Sequence, residues 1–150
     1  MSEATLRVLI IANKTLGGAE MLDRVGRLNT PAGAASFYLL VPATPVGESP
    51  WEGGDYRRQV GVEEAGRRLE QGLELISELG AEVDGEVGEA DPIDAVRALF
   101  DGGLSFDRIL LSTFSVGLSR WLHLDVPHRL GRLTDLPTEH IESGAVVNSG

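Results

Sequence analysis

RVLIIA, residues 7–12, is the stretch whose reading decides the fold. After Arg7 every residue is apolar, and most are branched. A half-exposed strand would alternate apolar and polar side chains; this one does not. Such a run suits a strand buried on both faces, as in a parallel sheet. Parallel strands need long crossovers between them, usually helices. The reading therefore predicts that similar runs alternate with helices along the rest of the chain.

They do. Gly17 and Gly18 lead into AEMLDRVGRL, 19–28, where Met21 or Leu22, Val25 and Leu28 recur at helical spacing. SFYLLV, 36–41, is a second buried run. PATPVGESPWEGGDYRR, 42–58, holds three prolines and three glycines and has no period, so it reads as a long irregular loop. Loops of that length in compact domains are often functional. From about 61 to 79, Val62, Ala65, Leu69, Leu73, Ile76 and Leu79 form one apolar stripe, with charged residues on the other faces. Gly80 is a natural stop. AEVDGEVG, 81–88, is a weaker strand suited to an edge. Asp91-Pro92 opens a helix, because Asp accepts free N–H groups and Pro fits the first turn. Its buried face is Ile93, Val96, Leu99 and Phe100, and Gly102-Gly103 end it. DRILLS, 107–112, is the fourth strand. A last helix carries Leu130 and Leu133, with Asp125 as its N-cap and Pro127 in its first turn. LPTEHIES, 136–143, is a polar fifth strand, and 144–150 form a tail.

With right-handed crossovers, this alternation gives an open doubly wound parallel sheet of about five strands, with helices on both faces. The 150 residues fit a single α/β domain, 1–150. A formal net charge of -10 excludes nucleic acid and anionic membranes as partners, because the field repels polyphosphates. The absence of cysteine excludes thiolate chemistry and disulfides. No run reaches the roughly 18 apolar residues of a membrane span. The N-terminus lacks the apolar core of a signal peptide. A cytoplasmic location is the expectation.

Ligands of doubly wound sheets bind at the carboxyl ends of the strands, where strand order reverses. That rule selects Ala12–Gly18, Val41–Thr44, Gly88–Asp91 and Leu111–Asp125. The crevice candidates, with no ligand specified, are Asn13, Lys14, Val41, Ala43, Gly88, Ser112, Thr113, Gly117 and Asp125. STFSVGLSRWLHLD, 112–125, has the hydroxyls of a phosphate loop but only one glycine.

The order of pieces resembles the universal stress protein family over roughly residues 6–142. A strand ends in a polar residue and a second ends in V-P. A long loop and a long amphipathic helix follow, then a strand ending G-x-x-D-P. GLSRWL, 117–122, is similar to the family's G-L-S-R-L-L-L segment. DVPHRLGRLTDLP, 125–137, is similar to S-V-S-E-R-V-L-R-H-A-P-x-P. Nucleotide-binding members carry an Asp that matches Asn13. Their phosphate loop reads G-x-x-G, nine residues, then G followed by Ser or Thr. Its glycines fall on Leu111, Phe114 and Leu124, and its final hydroxyl residue falls on Asp125. The resemblance therefore implies a homodimer with a stress-response role, or one binding an unknown protein partner. It does not imply ATP binding in the family manner. Leucine and phenylalanine side chains would fill space that glycine leaves for phosphate. The Asp125 carboxylate would occupy a helix N-terminus that an anion needs.

Other constellations are weaker. Trp51 and Tyr56 could stack on an adenine-like ring, but anchoring their loop explains them as well. His123, Asp125 and His128 make H-x-D-x-x-H, which lacks zinc spacing; His123, His128 and His140 read as histidines at a surface or interface. Ser112, Ser115 and Ser119 have no G-x-S-x-G elbow. A receiver domain would need acids where Ala12, Asn13 and Gly88 stand. The expectation is a non-enzymatic module with no cofactor and no metal. The alternative is a nucleotide- or small-ligand-binding protein that uses the same crevice.

Overall fold

The protein, seen in a computed structural model, is described at residues 6–12, 19–29, 35–43, 54–88, 91–114 and 126–143. Its elements run β1 (Leu6–Ala12), α1 (Ala19–Leu28), β2 (Ala35–Pro42), α2 (Gly54–Glu78), β3 (Glu82–Gly88), α3 (Pro92–Asp101), β4 (Arg108–Phe114), α4 (Val126–Leu133) and β5 (Thr138–Ser143). The strands form one sheet in the order β3-β2-β1-β4-β5, and every pairing is parallel. β1 is central: Ile10 lies beside Leu39 on one side and Leu110 on the other.

Side chains of RVLIIA alternate between two cores. Val8, Ile10 and Ala12 join Met21 and Val25 of α1 and Ala65 and Ile76 of α2. Leu9 and Ile11 join Ile93, Val96 and Leu99 of α3 and Leu130 of α4. Both parities must therefore be apolar, which is why the run does not alternate. Each buried Val, Leu, Ile or Met side chain among them contributes about 1.5–3 kcal/mol by leaving water. The doubly wound arrangement expected from the sequence is present, with the fifth strand in place.

β3 lies at an edge, as its composition predicted. Val83 and Val87 pack against the α1/α2 core, while Glu82, Asp84 and Glu86 are exposed. Helix ends also follow the predicted signals. The Asp91 carboxylate accepts the Ile93 N–H at 2.8 Å, with Pro92 opening α3. Gly80 and Gly103 follow the ends of α2 and α3 at φ 84° and 97°, a region that side chains disfavour.

Three expectations need correction. α2 starts at Gly54, so residues 54–58, including Tyr56, are helical rather than loop. Asp55 to Gln59 are nearly all polar, and without an apolar period the helix start left no mark. Val62 and Leu79 are not in the buried stripe: they are 47% and 44% exposed. A 25-residue helix spans about 37 Å, whereas the neighbouring strands span about 25 Å, so α2 is longer than the strands it covers. Finally, β4 continues two residues past Ser112, through Thr113 and Phe114, because β5 supplies a ladder there.

Candidate functional site

The strand order reverses between β1 and β4. From β1 the chain winds outward through β2 and β3, then returns to β4 and winds the other way to β5. α1 and α2 cover one face, and α3 and α4 cover the other. The connections leaving β1 and β4 thus part to opposite faces. This is the crevice position of doubly wound sheets, and Ala12 lies beside Ser112 at its floor.

Ser112 is 0% exposed. Val41 is buried in the core beneath α1 and α2. Ala43 is also buried, and its N–H donates to the Gly88 carbonyl at 3.1 Å, tying the exits of β2 and β3 together. At Gly88, a Cβ would stand 2.8 Å from both Ala95 Cβ and Leu40 Cδ1. The glycine therefore lets α3 lie close on the sheet. Thr113 has its backbone in β4, opposite Glu142. Its side chain, and the whole of Asn13, Lys14, Gly117, Asp125, Trp51 and His123, lie outside the described residues.

Leu111 sits in β4 beside Ile11 and is 1% exposed within the α3/α4 core. This is the position matched above with the first phosphate-loop glycine. Phe114, matched with the second, is also part of the strand, opposite Ser143.

One feature of this end of the sheet left no sign in the sequence. Arg129 on α4 donates to Asp91 at 3.1 Å and joins the starts of α3 and α4. The partners are 38 residues apart, so no local pattern could pair them. Burial alone would raise the Asp91 pKa. The Ile93 N–H and the Arg129 guanidinium outweigh it and hold the carboxyl below its ordinary 3.8. A depressed carboxyl stabilises the fold above its unfolded pKa, and the gain is lost as pH falls through the folded value. The pair is about a third exposed, so the ionic part is small. Asp91→Ala is expected to cost about 1 kcal/mol at pH 7, mainly as a lost cap. In urea denaturation that difference from wild type should narrow below pH 3.8.

Among the described residues, no three His, Asp or Glu side chains converge to hold a metal ion. No described helix is long and apolar enough to cross a membrane.

No protein-family model matches the chain, and no curated protein does. Solved structures do. A protein from the universal stress protein family of Burkholderia pseudomallei aligns with a TM-score of 0.65 at 18% identity, over 91% of this chain and 96% of that one. The hypothetical protein MJ0577, the subject of a structure-based assignment of biochemical function, aligns at 0.62 and 17% identity, over 95% and 100%. A universal stress protein in complex with cAMP aligns at 0.52 and 18% identity, over 95% and 100%. The chain has the α/β fold of these structures.

Proposed function

We propose that this chain is a universal stress protein-like module that does not bind ATP in the manner of the nucleotide-binding members. It works by binding a protein partner or as a stress-response homodimer in the cytoplasm, without catalysis. One observation carries the reading. In a fold shared with universal stress protein structures, the position matched with the first phosphate-loop glycine holds Leu111, at 1% exposure. A leucine committed to the core cannot give its backbone to a phosphate without opening the sheet. The resemblance matches Asp125 with the final Ser or Thr, and a carboxylate in that role would repel an anion.

The alternative reading keeps a small ligand, nucleotide or other, in the same crevice with different contacts. One of the similar structures holds cAMP, which favours that reading to this extent. A thermal-shift screen of nucleotides and metabolites separates the two. A compound at one hundred times its Kd stabilises by about 2.7 kcal/mol, roughly 5–10 °C for a chain of this size. The expected result is no shift with ATP. A shift of that size with any one compound selects the ligand-binding reading.

A further inference from the structure

A second concave site lies at the opposite, amino end of the sheet. It is a hollow of about 360 Å³ between the starts of β1, β2 and β3 and the segment before β4. The register explains why it exists. Arg7, Ser36 and Glu82 form one row across three strands. The small Ser36 lies between two long side chains of opposite charge and leaves a gap over the sheet. Arg7 and Glu82, two strands apart, are about 10 Å from one another at the backbone. Tyr38, in the next row, and Phe106 form an apolar wall, with their ring centroids 5.9 Å apart. Asp84 stands beside Tyr38 on the edge strand.

The charges here are largely uncommitted. Glu86 accepts the Tyr38 hydroxyl at 2.6 Å, so that carboxylate is engaged. Glu82 makes no hydrogen bond or ion pair with its side chain among the described residues, and Asp84 accepts only the N–H of Gly85. The Arg7 guanidinium rests 5.9 Å from the Phe106 ring centre and donates to Ser105 Oγ at 3.2 Å. No described carboxylate lies within ion-pairing distance of it. A guanidinium placed over a ring face with part of its fork free is suited to a carboxylate. Two carboxylates across an apolar floor are suited to an ammonium.

We propose that this hollow binds a short zwitterionic peptide. Its amino terminus meets Glu82 and Asp84, its carboxylate meets Arg7, and an apolar side chain lies on Tyr38 and Phe106. Three residues span about 10 Å when extended, which matches the row. The volume lies at the lower end of the range for small-molecule sites. This site is separate from the crevice and does not depend on whether the crevice takes a ligand.

The test is an NMR titration of the whole chain with the tripeptide Ala-Phe-Ala, its N-acetylated form and its C-terminal amide. Saturable shifts confined to the amides around Ser36, Tyr38 and Asp84 are expected. Each blocked peptide should bind at least tenfold more weakly. Arg7→Gln should bind the free acid and the amide equally, while still preferring the free amine. Because the peptide is changed as well as the protein, a misfolded variant does not remove the test. No shifts at 10 mM peptide, or equal binding of all three peptides to the wild type, would overturn the proposal. So would retained discrimination against the amide in a folded Arg7→Gln.

Discussion

Leu111→Gly is expected to lower the free energy of unfolding by about 4 kcal/mol and still not to create ATP binding. The substitution restores the residue type that the phosphate-loop pattern would have. It does so inside the α3/α4 core, where Leu111 is 1% exposed among Ile93, Val96, Leu99 and Leu130. Removing a buried leucine leaves a cavity, and glycine adds backbone entropy in a strand. Urea denaturation with equal m-values would measure the loss. If Leu111 lay instead at the lip of an open crevice, the cost would be below about 1 kcal/mol. The same substitution thus reports on whether this position belongs to packing or to a binding loop.

Gly85→Val is expected to cost about 3 kcal/mol. A Cβ at Gly85 would strike the Leu39 carbonyl oxygen on the neighbouring strand and stand 2.9 Å from Leu69 Cδ1 of α2. The carbonyl is backbone and cannot rotate away, so β3 would have to move off β2 or α2 off the sheet. Gly26→Ala makes the control, because nothing lies within 4 Å of the Cβ it would add. The control should be neutral or slightly stabilising, since alanine favours the helix. Equal stabilities for the two variants would refute the close approach of α2 to β3.

The central sheet was legible because its strands announce themselves in residue type. Val8–Ala12 and Leu39–Val41 are buried on both faces, and no other common element asks for unbroken apolar runs so short. The start of α3 was legible for a local reason, since Asp91 and Pro92 act within two residues of each other. The edge position of β3 followed from its acids. What escaped the reading was long-range. Arg129 meets Asp91 only after α3 and α4 have packed side by side. The extra length of β4 depends on β5. The exposure of Val62 and Leu79 depends on how α2 and the turn after it pack on the sheet, which periodicity cannot measure. The hollow at Ser36 arises from three residues that adjoin only through strand register.

The crevice was legible in kind and only partly in detail. Topology places the exits of β1 and β4 together, as the alternation of elements predicted. Of the candidates within the described residues, Val41, Ala43 and Ser112 are buried and Gly88 makes room for α3. These residues shape the floor.

The proposal that the crevice does not accept ATP as the nucleotide-binding members accept it has a direct test. Isothermal titration of the full chain with Mg-ATP tests it most directly, run beside a variant changed at Asn13. No saturable heat is expected up to 1 mM nucleotide, a Kd weaker than about 1 mM by the usual arithmetic of affinity. Micromolar binding to the wild type that weakens in Asn13→Ala would contradict it.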